Sequence, residues 1–196
     1  MENKKIPFLT RRLALNLFIE FGPILAFFVA FNFFDFIRAT MVLVGVVLIA
    51  FLLSIFIEKR VAVFSLFASG SILVFGLATV FLRNPDYIIF KDTLFWGIFG
   101  FIILGYHMQG TLILKKWFIS IFDITEHGWK VVSFRWAAFA FMLSGSNQLA
   151  LMYLTPAGWV YYKIGTLVAL LIFSGWQFAL SRQERNPGAN AWGMRV

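Results

Sequence analysis

The sequence contains no cysteine, which removes disulfides, thiolate metal sites, iron–sulfur clusters and cysteine nucleophiles together. It is also poor in histidine. His107 lies in an apolar run and His127 in a loop, whereas one haem iron takes at least one axial ligand and commonly two; no metal and no cofactor is expected. Acidic residues number 9 against 17 lysines and arginines, and none forms a pair of catalytic carboxylates at a recognisable spacing. A Ser-His-Asp arrangement, an HExxH motif and a glycine-rich phosphate loop are missing too. The expectation is a protein that is not an enzyme.

What the chain has in quantity is apolar surface: 61% of its 196 residues are hydrophobic and only 13% charged, with a mean hydropathy of +0.84. That lies outside the balance of an ordinary soluble domain. About 20 apolar residues at roughly 1.5 Å each cross a hydrocarbon core of about 30 Å. Six runs qualify: Leu13 to Phe34, Ala39 to Ile57, Val61 to Leu82, Leu94 to Leu114, Trp136 to Leu154 and Gly158 to Leu180. The basic N-terminus before the first run has the layout of a signal peptide. The run is longer than a signal core, however, and ends without a small-x-small site, so it is expected to be retained.

The net charge of +8 is distributed around these runs, where anionic headgroups and topology explain it better than nucleic acid does. With the N-terminus in the cytoplasm and six spans, 13 basic residues fall inside: Lys4, Lys5, Arg11, Arg12, Lys59, Arg60, Lys115, Lys116, Lys130, Arg135, Arg182, Arg185 and Arg195. The other 4, Arg38, Arg83, Lys91 and Lys163, fall outside. The positive-inside rule produces such a bias with both termini cytoplasmic. The expected fold is all-α: a polytopic transmembrane helical bundle of about six spans, or five if the first run, interrupted by Glu20, Gly22 and Pro23, is re-entrant.

Connections are short, as antiparallel helices require, except Lys115 to Arg135. There two lysines precede Trp117, Phe118, Ile121 and Phe122 near helical spacing, the pattern of an amphipathic helix in the headgroup plane or of a loop touching it. Residues 115–135 are accordingly expected as an amphipathic connection at the cytoplasmic face. With no polar stretch long enough for a soluble domain, 1–196 is expected as a single integral membrane domain. No internal repeat of the transporter kind is evident.

Ionisable groups within apolar runs are costly, which makes them candidates for function or for pairing. Glu20, in the first run, is expected to bridge to Arg135 at the start of the fifth, with a proton or cation site as the alternative. Asp35 and Arg38 close the first hairpin, while Asp86, Lys91 and Asp92 lie in the next outer loop. Lys163, in "GWVYYKIG", belongs to the same layer, about 7.5 Å of helix beyond Gly158. It is expected to pair with Asp35 or Asp86, or to snorkel past Trp159, Tyr161 and Tyr162. Asn147 and Gln148 sit mid-span beside Ser144, Gly145 and Ser146, a composition suited to close helix packing; the glycines of Gly70 to Gly76 and Gly97 to Gly105 read the same way.

Five stretches, "EFGPILAFFVAF" (Glu20 to Phe31), "DFIRAT" (Asp35 to Thr40), "FGLATVFLRNPDYIIFKDT" (Phe75 to Thr93), "GWKVVSFRWAAF" (Gly128 to Phe139) and "WVYYKIG" (Trp159 to Gly165), together resemble the bacterial intracellular septation protein A family in order and spacing. The resemblance runs from about residue 13 to 182. It departs where the family tends to have Lys-Pro-Thr and this chain has Lys91, Asp92 and Thr93. It departs again where Asn-Glu is usual and the chain has Asn147 and Gln148, and at Tyr161 in place of Asn.

The resemblance implies a multi-pass inner-membrane protein of cell-envelope maintenance, septation and cell division, acting through protein or lipid contacts. Its motif positions here are Asp35, Thr40, Asp86, Lys91, Trp136, Asn147 and Lys163. Expected partners are the lipid bilayer and envelope or division proteins, with no nucleic acid. Alternatives are a small transporter or lipid-handling protein, with Lys163, Asp35 and Asp86 forming an anion or headgroup site, and an accessory subunit of a larger membrane complex.

Overall fold

A computed structural model describes residues 22–58 and 63–194 of the chain. The described residues form seven helices: α1 (Gly22–Phe33), α2 (Phe36–Glu58), α3 (Val63–Leu82), α4 (Asp86–Met108), α5 (Ile113–Phe118), α6 (Glu126–Tyr153) and α7 (Pro156–Gln183). The protein is all-α, and three stretches, Phe36–Leu53, Asp86–Met108 and Pro156–Gln183, are long and apolar enough to cross a membrane by length and composition. The expected fifth span lies within α6, whose 28 residues give it ample length but whose serines, Asn147 and Gln148 make it less apolar. Of the expected first run, only its α1 part falls within the described residues; Glu20 lies outside them.

The chain divides into two compact units, Met1–Lys91 and Asp92–Val196. In the first, the carboxylate of Asp35 caps α2 by accepting the backbone N–H of Arg38 at 2.9 Å, satisfying one of the amides that a helix start leaves unpaired. Phe36 then packs edge-on against Phe27 and Phe31 of α1, with ring centroids 5.7 and 6.3 Å apart. α2 and α3 meet where Gly76 faces Val44 and Thr40. A β-carbon at Gly76 would lie 2.5 Å from Val44 Cγ2, so the approach depends on glycine. Thr40 and Thr79 are fully buried, and each is satisfied locally. Thr40 Oγ1 donates to the Phe36 carbonyl at 2.8 Å, and Thr79 Oγ1 accepts the Ile88 amide at 2.9 Å, which ties α3 to the first turn of α4.

In the second unit α6 and α7 form an antiparallel hairpin through Leu154 and Thr155. Thr155 caps α7 by accepting the Gly158 amide at 3.1 Å, and Pro156 stands at the first helical turn, where its missing N–H costs nothing. Down the hairpin, Phe139 stacks on Phe173 with centroids 4.0 Å apart, and Trp136 meets the same ring edge-on at 5.0 Å. α4 runs antiparallel to α6, since Gly97 faces Ser144 and, one turn on, Gly100 faces Phe141. Gly110, at φ +74°, ends α4 with Thr111 N–H bonded back to the Tyr106 carbonyl at 2.9 Å, the left-handed stop that glycine favours.

Only 11% of the apolar stretch of α7 is buried, against 33% of that of α2. Outward Leu171 and Ile172 are 72% and 69% exposed, a state that hydrocarbon tolerates and water does not.

Replacing Gly76 by Leu is expected to destabilise the detergent-solubilised protein by about 1–3 kcal/mol, the usual cost of overpacking. Gly45→Leu, on the same hairpin with nothing within 4 Å, should leave the thermal midpoint unchanged or higher.

Candidate functional site: a polar network among three helices

The sequence expectation placed Lys91 and Asp92 in a loop, but α4 begins at Asp86, just after Pro85. Asp92 and Thr93 therefore lie within a helix, where their side chains have fixed directions. On α6, Ser144 and Asn147 are three residues apart, and on α7, Trp159 and Lys163 are four apart; each pair shares a helix face. These three faces meet. Ser144 Oγ donates to the Thr93 carbonyl at 2.8 Å, Asn147 Nδ2 donates to Thr93 Oγ1 at 2.9 Å, and Trp159 Nε1 donates to Asn147 Oδ1 at 2.9 Å. Ser146 Oγ and the Tyr162 hydroxyl are 2.8 Å apart. Lys163 Nζ forms a salt bridge with Asp92 Oδ2 and lies 5.8 Å from the Trp159 ring centroid.

The carboxylate that meets Lys163 is thus Asp92, not Asp35 or Asp86. Asp35 instead caps α2, with a loose contact to Arg38 at 3.5 Å between two largely exposed side chains. Asp86 starts α4, its amide bonded to Asn84 Oδ1 at 2.9 Å. Thr40 is a buried packing residue of the first unit, and Lys91 is half-buried on α4. Arg135, for which Glu20 was the expected mate, places its guanidinium 4.1 Å from the Trp176 ring centroid. Trp136 belongs to the aromatic stack of the α6–α7 hairpin. Of the expected site residues, the network gathers Asn147 and Lys163; it adds Asp92, Thr93, Ser144 and Trp159. The helix start at Pro85 and Asp86 was the sequence signal for the first two, because it sets the register of the "KDT" stretch.

The small-residue expectation divides. Gly97 and Gly100 lie against α6, 3.2 Å from Ser144 Oγ and 3.1 Å from the Phe141 ring measured from an added β-carbon, whereas Gly70, Gly105 and Gly145 meet nothing within 4 Å.

The opposite end of the second unit is tied by backbone. Residues 115–135 are shared between α5, a turn and the first part of α6. Thr125 caps α6 by accepting the Gly128 amide at 3.0 Å and donates its hydroxyl to Glu184. The segment after α7 folds back onto the turn: Thr125 N–H to Glu184 carbonyl at 2.7 Å, Asp123 N–H to Gly193 carbonyl at 2.8 Å, Asn186 Nδ2 to Asp123 Oδ1 at 2.7 Å. Lys115 bonds Glu126 at 2.5 Å. That hydrogen bond, reinforced by the charges of Lys115 and Lys130, holds the Glu126 carboxyl below its ordinary value of 4.5. Among the described residues no group of three or more His, Asp or Glu is placed to hold a metal ion.

Residues 15–185 match the family model described as intracellular septation protein A. The chain is 30% identical over 175 residues to the inner membrane-spanning protein YciB of Rickettsia canadensis, covering 88% of this chain and 97% of that one. With the protein of the same name from Nitrobacter hamburgensis it shares 28% identity over 165 residues, 84% and 83% of the two chains. No solved structure matches.

Lys163→Met leaves a carboxylate buried at Asp92, whose side chain is 6% exposed. The expected loss of stability is about 2–3 kcal/mol, at the lower end for broken buried pairs because Lys163 is 24% exposed. The double variant Asp92→Asn/Lys163→Met should recover most of that loss in a chemical or thermal melt. At the other end, a lowered carboxyl value means that Glu126 contributes fully above pH 4.5 and loses its contribution as the pH falls through its own lower value. Carboxyl NMR titration should show Glu126 moving back up in Lys115→Met.

Proposed function

The chain belongs to the intracellular septation protein A family and is a multi-pass inner-membrane protein, and we propose that it serves cell-envelope maintenance and septation through protein or lipid contacts rather than by catalysis. The observation that carries this reading is the use made of the ionisable groups in the second unit's helices. Lys163 and Asp92 neutralise each other, and around them stand Thr93, Ser144, Asn147 and Trp159, engaged in hydrogen bonds that run from helix to helix. Such a set joins helices and offers no activated nucleophile and no separated acid and base, which a catalytic centre requires.

An interaction role asks instead for a fixed scaffold and a broad outer surface. The network provides the first. The second is provided by apolar faces such as Phe101, Leu171 and Ile172, each more than two-thirds exposed, which contact lipid and, on this reading, envelope or division proteins that share the bilayer.

In a strain lacking the gene, Asp92→Asn/Lys163→Met is expected to restore cell shape and envelope permeability as well as wild type, because packing and not proton chemistry is its task. A photoreactive residue at position 101 or 171 should capture discrete envelope or division proteins in living cells. A double variant that reaches normal abundance yet fails to complement would sink the non-catalytic reading.

A further inference from the structure

α7 carries two basic residues, Lys163 and Arg182, with no charge between them. About 28 Å of helix separates the two, close to the roughly 30 Å of a hydrocarbon core, so they stand at its opposite borders. Lys163 has its counter-charge within the protein, in Asp92. Arg182 does not. Its guanidinium lies 4.6 Å from the Trp192 ring centroid, and among the described residues it forms no ion pair. The neighbouring carboxylates are turned elsewhere: Glu184 accepts the Thr125 hydroxyl, and Asp123 accepts Asn186 Nδ2. The segment after α7 sets Trp192 in place, since the Trp192 carbonyl accepts Ser181 Oγ at 2.9 Å and its amide donates to Asn190 Oδ1 at 2.9 Å. The aromatic contact thus holds the cation without neutralising it. Arg185, three residues on, is exposed and adds to the positive charge there.

Arg182 also ends a stripe. Val168, Leu171, Gly175, Phe178 and Arg182 follow one another at intervals of three and four residues, the spacing of one helix face, and all five are exposed. A β-carbon at Gly175 would meet nothing within 4 Å, which leaves a hollow between Leu171 and Phe178. The stripe is about 21 Å long, enough to run the depth of one leaflet's hydrocarbon, about 15 Å, and reach the headgroups. We propose that this face binds one anionic phospholipid, with its phosphate on Arg182 and an acyl chain along the stripe toward Val168. The planar fork of a guanidinium matches phosphate oxygens, and at the edge of the hydrocarbon the counter-charge that the protein withholds from Arg182 has to come from outside. A zwitterionic lipid supplies it less well, because its own ammonium competes for the phosphate. An acidic protein segment or a nucleic acid would meet the charge and leave the apolar stripe below it without an occupant. The inference needs α7 to cross the bilayer and does not depend on the septation role.

The full chain, purified in detergent, is titrated with dioleoylphosphatidylglycerol and separately with dioleoylphosphatidylcholine, and bound lipid is counted by native mass spectrometry. The first phosphatidylglycerol should half-saturate at about fivefold lower concentration, the worth of one basic side chain facing an anionic surface. Arg182→Gln should make the two lipids equal, with Arg182→Met, which keeps an apolar stem against Trp192, as a second variant should the first not fold. Lys130→Gln, which removes an exposed cation on α6, should leave the fivefold preference intact. Val168→Ser/Leu171→Ser should weaken both lipids alike and keep their ratio. Inorganic phosphate at constant ionic strength should displace neither. Equal half-saturation in the wild type, or a preference that survives Arg182→Gln, would overturn the proposal. So would an equal loss in Lys130→Gln, which would make the preference one of diffuse charge, lipid binding unmoved by the double serine variant, displacement by inorganic phosphate, or a second copy of the chain in place of bound lipid.

Discussion

The second unit depends on one requirement: polar side chains within helices of this hydropathy must find their partners in one another, because hydrocarbon supplies none. Asn147 meets it most economically. Its amide nitrogen reaches α4 at Thr93 and its amide oxygen receives Trp159 of α7, so a single side chain of α6 joins both neighbours. The salt bridge of Lys163 with Asp92 closes the remaining side of the same triangle. Gly97 lets α4 come close enough for these bonds to form. Close approach and hydrogen bonding are thus one device: the glycine sets the separation and the amide fixes the register.

The all-α membrane character was legible from hydropathy and from the scarcity of charge, because a long apolar run has few other destinations. The packing purpose of Asn147 was legible for a related reason, since a mid-span amide has to find a partner. The mate of Lys163 was not. Asp35 and Asp86 appeared suitable because their layer was counted from loop boundaries, and the boundary before α4 was set too late. Moving the helix start to Asp86 carries Asp92 into the second turn, about 9 Å along the axis, where it faces α7. A side chain's direction follows from its register, and register is what a hydropathy run leaves undefined.

The two ends of the second unit are built from different materials. Where Asp92, Asn147 and Lys163 lie, the bonds are mostly between side chains, with Ser144 to the Thr93 carbonyl as the exception, and each member is an identifiable residue type. At the turn before α6 they are mostly backbone bonds, to Glu184 and Gly193 among others, so the sequence records them only through the space they require. Gly128 would bring a β-carbon within 2.8 Å of Glu184, and Gly193, at φ +70°, within 2.3 Å of the Ser181 carbonyl. Both positions demand glycine for reasons of approach, and neither belongs to an apolar pattern that periodicity could expose.

That returning segment also has a bearing on the order of events during synthesis. Asp123 and Asn186 are 63 positions apart, with all of α6 and α7 between them. The turn at Asp123 therefore leaves the ribosome with its acceptors and donors still waiting for residues not yet made, and both long helices must be placed before it can close. The α6–α7 hairpin must therefore be in place before the backbone latch across its ends can close.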